Sequence, residues 1–354
     1  MKKALILSAA LLALTACSVK DAVQVPDSPL AIPMGCEITL TARCAAPDGD
    51  SKTVRQPDGK VYWSPEEKIY VDNYTSDYFS NYYLNLGYCT FTSTNTEPSP
   101  TASFTGSFYD FSEGGTSTDY YAHPMNVLVA RFPVAWSETW YNNGWVTSSG
   151  GFQQGLGCNE WAQDQYGENA WPPVQLYTTC TIPQIQHAVA GTFDRNLLPS
   201  IALSRSTDLV FHHYGGGVKF SLTGDNIVSV NLLSGDNTYI NLSRAFYIDY
   251  QSLSVDDRAG WMYSSRMVTL NTTDGEPLVP GVDYYFVTFP CDFPNGIVLE
   301  MNTNDGEVLK RVITKPLEIK KGHFLVLNNV DAGLSGDNPV GSGGIDDFTF
   351  DPII

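Results

Sequence analysis

The chain has 354 residues, with 20 basic and 38 acidic side chains, and a formal charge of −18 at pH 7. This acidic balance argues against nucleic-acid binding and against charge-driven adhesion to anionic lipid. Charged residues make up only 16% of the chain and aromatic residues 12%. That composition excludes a disordered chain, argues against a helical bundle, and favours an exported β-protein large enough for two domains.

The amino-terminal segment has the features of a lipoprotein export signal. Lys2 and Lys3 precede an apolar run that is shorter than the roughly 20 residues a membrane-spanning helix needs. Cys17 follows Leu14-Thr15-Ala16, so its thiol is placed to accept a diacylglyceryl group, with further acylation such as palmitate after cleavage. We predict a signal peptide over residues 1–16, lipidation of Cys17 and a Pro-containing tether over 17–35. The alternative is an ordinary signal peptide followed by a chance cysteine.

Short predicted strands follow in chain order. Cys36–Arg43 alternates polar and apolar residues, which predicts a strand with one buried face. Pro57-Asp58-Gly59 predicts a turn, and Ser64–Glu67 a single helical turn before the next strand. Further strands recur at the spacing of an antiparallel sandwich. They are Lys68–Val71, Tyr88–Thr92, Thr101–Tyr109, Tyr120–Ala122 and Val127–Phe132.

Residues 132–194 differ in composition from the rest of the chain. They contain five of the seven tryptophans and no Lys or Arg, with several glycines that break regular elements. We predict a long, loop-rich insertion. Exposed tryptophans stack on sugar rings or fill pockets of partner proteins, and the alternative is a satellite core within the loop. The candidate ligand contacts are Trp136, Trp140, Trp145, Trp161 and Trp171.

A second β-rich block and a glycine-rich tail complete the chain. Strand patterns recur from Leu209 to Leu327, and Asn304-Asp305-Gly306 predicts a tight hairpin within them. Residues 331–344 are rich in glycine and predict a flexible linker. In the last ten residues, Phe348, Phe350 and Ile354 share one face of a possible strand, which Pro352 interrupts.

Six cysteines remain once Cys17 is lipidated, and they permit fifteen pairings. Cys36 and Cys44 bound one strand and would lie roughly 26 Å apart, beyond the reach of a disulfide. The sequence is compatible with buried free thiols and with disulfides for these six cysteines. It comprises Cys36, Cys44, Cys89, Cys158, Cys180 and Cys291.

No motif for catalysis or metal binding is present. The sequence has no Gly-x-Ser-x-Gly elbow, no His-Glu-x-x-His and no Cys-x-x-Cys. His212 and His213 are adjacent in a predicted strand, so their side chains point to opposite faces and cannot chelate one ion. We therefore expect no catalytic residues, no metal, no cofactor and no enzymatic activity.

Several stretches give the chain a family resemblance, and their order along the sequence matches a common pattern. The chain resembles the fimbrillin family, the type V pilins and their adhesin-like relatives. The stretches are Asp58–Ser64 with Lys68–Val71, Phe91–Ser93 with Ala102–Gly106, Asp208–Phe211 with Gly217–Ile227, and Tyr284–Pro290 with Phe293–Ile297 and Lys315–Leu317.

The resemblance implies an all-β chain of two tandem antiparallel, transthyretin-like β-sandwich domains, which we place at residues 36–206 and 207–331. It also implies export to the outer membrane and the cell surface or fimbrium, with other pilus subunits or host and bacterial surface ligands as partners. The tryptophan-rich insertion departs from the pattern and favours a tip, accessory or non-polymerising member. The alternative function is a glycan-binding surface lipoprotein that uses this insertion, and a secreted hydrolase is a distant third.

Family pilins are trimmed after an arginine and receive a strand from another subunit, which suggests a role for both ends of this chain. Arg43 and Arg55 follow the first predicted strand, so cleavage there would remove it and uncover an apolar groove. The candidate replacement is the tail strand at 345–354. The alternative is an uncut monomer with a disordered tail.

Overall fold

The computed structural model describes residues 37–44, 54–55, 61–74, 89–107, 127–134, 150–152, 157–158, 176–249, 252–259, 264–273, 275–336, 338–342 and 349–352. Within these ranges the chain is all-β, with one 3-10 helix at Arg195–Leu197 and no α-helix. No helix in the described ranges has the length and apolar character needed to cross a membrane.

The strands are numbered along the chain. The first eleven are β1 (Ile38–Cys44), β2 (Val54–Arg55), β3 (Val61–Tyr62), β4 (Lys68–Tyr74), β5 (Cys89–Ser93), β6 (Ala102–Gly106), β7 (Val127–Phe132), β8 (Gly151–Phe152), β9 (Gly157–Cys158), β10 (Leu176–Thr181) and β11 (Ile185–His187). The next nine are β12 (Ser200–Ser204), β13 (Asp208–His213), β14 (Gly216–Phe220), β15 (Ile227–Ser234), β16 (Ile240–Asn241), β17 (Ser243–Asp249), β18 (Ser254–Ala259), β19 (Ser264–Ser265) and β20 (Met267–Asn271). The last eight are β21 (Tyr284–Thr288), β22 (Cys291–Phe293), β23 (Ile297–Thr303), β24 (Val308–Ile313), β25 (Leu317–Ile319), β26 (His323–Leu327), β27 (Val340–Ser342) and β28 (Thr349–Pro352).

The first group of strands closes into a barrel in the order β1-β13-β12-β7-β4-β5-β6. We expected two separate sheets here, but β1 pairs with both β6 and β13, so the ring has no open edge. Strand spacing alone cannot distinguish these two cases, because closure depends on which edges meet. One hydrophobic cluster fills the barrel. Its buried members are Leu40, Ala42, Trp63, Ile69, Val71, Cys89, Phe91, Ala102, Phe104, Leu128, Ala130, Phe132, Ala202, Leu209 and Phe211.

Two sheets of six and four strands, from the second half of the chain, share one core. One has the order β11-β20-β15-β23-β24-β27 and the other β21-β14-β26-β28. Strands of the six-stranded sheet alternate buried and more accessible residues, as in β23, whereas every residue of β21 in the four-stranded sheet is buried. Val218 and Phe220 of the smaller sheet belong to the same buried cluster as Leu232 and Leu299 of the larger one.

A further sheet, β18-β17-β10-β8 with β9 beside β10, covers part of the outer wall of the barrel. Every residue of β7 is buried, because one face lines the barrel and the other packs on this sheet. Val127 and Val129 meet Ile248 of β17 there.

The insertion predicted as loop-rich contributes four strands to these sheets, β8 to β11. The run Leu176–Thr181 holds three threonines between prolines, a β-branched pattern that would have identified β10.

Strand pairing crosses the boundary predicted at residues 206 and 207. β13 lies beyond it and pairs in the barrel, whereas β11 lies before it and pairs with β20. The boundary stays a prediction, because strand pairing does not establish which segments fold independently.

Candidate strand-exchange site

The first strand occupies a place between two neighbours in the barrel wall. β1 runs antiparallel to β6, with Leu40 opposite Phe104 and Ala42 opposite Ala102. On its other side it runs parallel to β13, with Ala42 opposite Leu209. We call this place the β1 seat, defined by the inward positions of Leu40 and Ala42 between β6 and β13. Both side chains are fully buried, as the alternation in the sequence predicted.

The two candidate cleavage residues lie in different pairings. Arg43 is exposed at the end of β1 and stands opposite Val210 of β13. Arg55 belongs to the two-stranded β2-β3 ladder, which lies apart from the barrel ladder, and stands opposite Val61. A protease needs an unpaired, extended backbone, so cleavage at either residue requires local opening.

The tail strand is folded back onto its own chain. β28 pairs antiparallel with β26, with Phe350 opposite Leu325. The Asp351 carboxylate accepts a hydrogen bond from Lys219 Nζ at 3.2 Å, and Lys219 also pairs with Asp283 at 2.9 Å. Phe350 lies 4.6 Å from Lys320 Nζ and is 37% exposed. The candidate donor strand is therefore seated at the edge of the four-stranded sheet.

The glycine-rich segment before the tail strand is partly ordered, in contrast to the flexible linker we predicted. β27 pairs parallel with β24 at the edge of the six-stranded sheet. Within the described residues, β27 is therefore an edge strand of the six-stranded sheet, and β28 is an edge strand of the four-stranded sheet.

Two side chains fix the point where this segment begins. Asp331 is buried and its carboxylate accepts hydrogen bonds from Thr223 N, Thr223 Oγ1 and Gly224 N at 2.6–2.9 Å. The buried Arg311 guanidinium donates to the carbonyl oxygens of Val330, at 2.8 Å, and Ala332. No local sequence pattern marks these contacts, which join residues 19 to 108 positions apart.

The barrel also holds buried polar groups. Ser200 Oγ lies 2.7 Å from His213 Nδ1, within hydrogen-bond distance, and 3.3 Å from the carbonyl oxygen of Leu198. Burial lowers the pKa of His213 to about 4, and the neighbouring His212 adds to this. As predicted from adjacency, His212 is exposed and His213 buried.

A buried ion pair within the barrel also contacts the sheet that covers it. The Arg131 guanidinium pairs with Asp72 of the adjacent strand and donates to Thr178 Oγ1 of β10 at 3.1 Å. All three side chains are buried. Burial raises the pKa of Asp72, and the charge of Arg131 opposes that rise. The hydrogen bond from Arg131 to Thr178 is thus a buried polar contact between the barrel and the covering sheet.

Cys180 and Cys291 are thiols that form no disulfide. Burial raises the pKa of the Cys180 thiol, and it raises that of Cys291 to about 12. Both thiols are therefore protonated and poorly nucleophilic at neutral pH. No group of three or more potential metal-ligating side chains occurs among the described residues.

Several predicted positions lie outside the described residues. These are Cys17, Cys36, Trp136, Trp140, Trp145, Trp161, Trp171, Phe348 and Ile354.

No protein-family model matches the sequence, and neither does any curated protein. Comparison with solved structures does give matches. A "putative cell adhesion protein" from Bacteroides ovatus matches with 13% identity and a TM-score of 0.39, over 81% of this chain and 86% of that one. One from Bacteroides uniformis matches with 11% identity and a TM-score of 0.42, over 82% and 92%. The tip fimbrial protein Mfa3 from Porphyromonas gingivalis, with a C-terminal truncation, matches with 7% identity and a TM-score of 0.29, over 83% and 94%. The chain thus has structural matches among proteins named for adhesion and fimbriae, at low sequence identity.

Proposed function

We propose that this chain is a lipid-anchored surface protein of the fimbrillin type, acting in cell adhesion or pilus assembly. It serves as a tip, accessory or structural subunit, it has no enzymatic activity, and its partners are other subunits or surface ligands. Assembly proceeds by strand exchange at the β1 seat. Cleavage after Arg43 or Arg55 lets β1 leave, and a strand from another subunit takes its place.

One observation carries this proposal: an amphipathic strand lies between two neighbouring strands and has an exposed arginine, Arg43, next to its last residue. A single cut there detaches the strand from the chain while its ladder partners remain. The vacated seat would then present apolar side chains of the barrel core and unpaired backbone groups of β6 and β13. Such an edge is unstable until another strand pairs with it.

The membrane anchor is supported by the signal at the amino terminus. Replacing Cys17 with Ser removes the thiol that the lipid requires. We expect this variant to leave the membrane fraction and appear in the soluble fraction, while the parent chain stays membrane-bound. A Cys17→Ser chain that remains in the membrane fraction would contradict lipid anchoring.

The exchange step is tested with purified protein and a fluorescent peptide of the Glu37–Arg43 sequence. After digestion with an Arg-specific protease, the peptide should enter the seat and co-elute with the protein. The matched control is the double variant Arg43→Gln, Arg55→Gln, which keeps its strand attached and should take up no peptide. If the cleaved protein excludes the peptide as completely as the control does, strand exchange is not its function.

A further inference from the structure

We propose that the β1 seat accepts a strand from a different kind of subunit and rejects the tail strand of a second copy of this chain. The accepted strand carries a large apolar residue at the Leu40 position and a small one at the Ala42 position. This inference rests on the proposed strand exchange and names its partner.

The two inward positions of the seat differ in size. Leu40 points at the barrel interior opposite Phe104, and Ala42 lies between Ala102 and Leu209. All five side chains are no more than 1% exposed. The seat therefore fits a large side chain followed, two residues later, by a small one.

Buried aromatic side chains pack together in the barrel interior. The centroid of the Trp63 ring lies 5.2–5.5 Å from those of Phe104, Phe132 and Phe211, in edge-to-face arrangements. These rings belong to the same buried cluster as Leu40 and Ala42. Packed cores tolerate extra volume poorly, because neighbouring side chains must leave their preferred rotamers.

The tail strand of this chain has the wrong order of sizes. Entered in the direction of β1, Phe348 at the Leu40 position brings Phe350 to the Ala42 position, where a phenyl ring replaces a methyl group. A shift of two residues puts Phe350 at the Leu40 position and Pro352 at the Ala42 position. That proline lacks the N–H that a central strand needs.

Reversing the tail strand does not improve its fit. With Phe350 at the Leu40 position, Phe348 then reaches the Ala42 position, and with Phe348 at the Leu40 position, Asp346 does so. A ring overfills this position, and a carboxylate there would be buried without a partner.

The other strand of the tail region is β27. With Val340 at the Leu40 position, Ser342 meets the small position, so the order of sizes alone admits this strand. β27 is, however, only three residues long and is already paired with β24, as β28 is with β26.

The test is competition between four peptides for protein cleaved after Arg43 or Arg55. Two peptides have the β1 sequence of residues 37–43, one native and one with Ala42→Phe. Two have the tail sequence of residues 345–354, one native and one with Phe350→Ala. The protein itself is unchanged in all four measurements, so no variant can fail to fold. Native mass spectrometry measures the fraction of cleaved protein with a peptide bound in the β1 seat. Displacement of the fluorescent β1 peptide measures the affinity of each competitor.

We expect the native β1 peptide to bind, and Ala42→Phe to weaken its binding roughly tenfold to a hundredfold. The native tail peptide should fail to compete, and Phe350→Ala should improve it by a similar factor. Equal competition by the native tail and β1 peptides overturns the partner assignment and leaves strand exchange intact. Exclusion of all four peptides overturns both the assignment and the proposed function.

Discussion

β1 and β28, the first and last strands of the described residues, are held in different ways. β1 pairs on both sides within a closed barrel, and its inward side chains are fully buried. β28 pairs on one side only, at a sheet edge, and its Phe350 is more than one-third exposed. Removing β1 therefore opens a barrel, whereas removing β28 uncovers an edge that can face water. A strand whose loss opens a core must be replaced, which is why the β1 seat is the better candidate for assembly.

The buried face of β1 should contribute most to stability. Leu40→Ala removes a fully buried side chain from the barrel core and should lower the free energy of unfolding by about 2–5 kcal/mol. Urea denaturation measures this change. The matched control is Thr39→Ala, an exposed neighbour on the same strand, with an expected loss below about 1 kcal/mol. Equal losses in the two variants would mean that β1 is not seated as described.

Acid should weaken the barrel through His213. Its pKa is about 4 in the folded protein against an ordinary 6.5, so the unfolded chain binds more protons between these values. Stability is therefore complete above about pH 6.5 and falls as the pH drops toward 4, by up to about 3 kcal/mol. Hydrogen exchange at pH 7 and pH 5 should show a larger loss of protection in β12 and β13 than in β26.

The control for this effect is His213→Asn, which keeps a polar side chain beside Ser200 but does not titrate in this range. Its unfolding free energy should depend less on pH than that of the parent chain between pH 4 and 6.5. Identical pH dependence in the two proteins would show that His213 does not govern the acid response.

The fold could be predicted from the sequence wherever a local pattern carries it. Alternation alone gave the buried face of β1, and adjacency gave the opposite environments of His212 and His213. The parallel partner of β1 could not be found this way, because β13 begins more than 160 residues later and its pattern fits many pairings. Arg131 reads as an ordinary polar residue in a strand, since its partners Asp72 and Thr178 lie 59 and 47 positions away.

The same limit applies to the candidate site. The tail strand and its shared apolar face could be proposed from the spacing of Phe348, Phe350 and Ile354. That β28 pairs with β26 of its own chain could not be derived from this spacing, and its contact with Lys219 joins residues 132 positions apart. The size order of the β1 seat also needed the structure, because the pocket around Ala42 is built by β6 and β13.

The ion pair between Lys219 and Asp351 of β28 should contribute less to stability than Leu40 or His213. Lys219→Met removes the charge that pairs with Asp351 and Asp283, all three being partly accessible to water. We expect about 0.2–1 kcal/mol for such a contact, visible as a few-fold faster hydrogen exchange at residues 349–352. Lys310→Met is the matched control, since it breaks an ion pair with Glu300 at 2.6 Å that touches neither β26 nor β28. If hydrogen exchange in β28 is faster in the Lys310→Met control, or unchanged in Lys219→Met, the contact between Lys219 and Asp351 does not hold β28 in place.

The smallest expected effect concerns the two candidate cleavage residues, Arg43 in β1 and Arg55 in β2. Replacing the exposed Arg43 by Gln should change the free energy of unfolding by less than about 0.5 kcal/mol, because surface substitutions seldom do more. The effects of the two arginines on cleavage should be unequal. Arg43 pairs within the long β1-β13 ladder, whereas Arg55 lies in a ladder of two residue pairs that opens at lower cost. An Arg-specific protease at limiting concentration should therefore cut after Arg55 first, and Arg55→Gln should slow the first cut much more than Arg43→Gln. Mass spectrometry of the early fragments decides this order. A first cut after Arg43 would mean that the end of β1 opens more readily than the β2-β3 hairpin, and that its pairing with β13 does not protect this end from the protease.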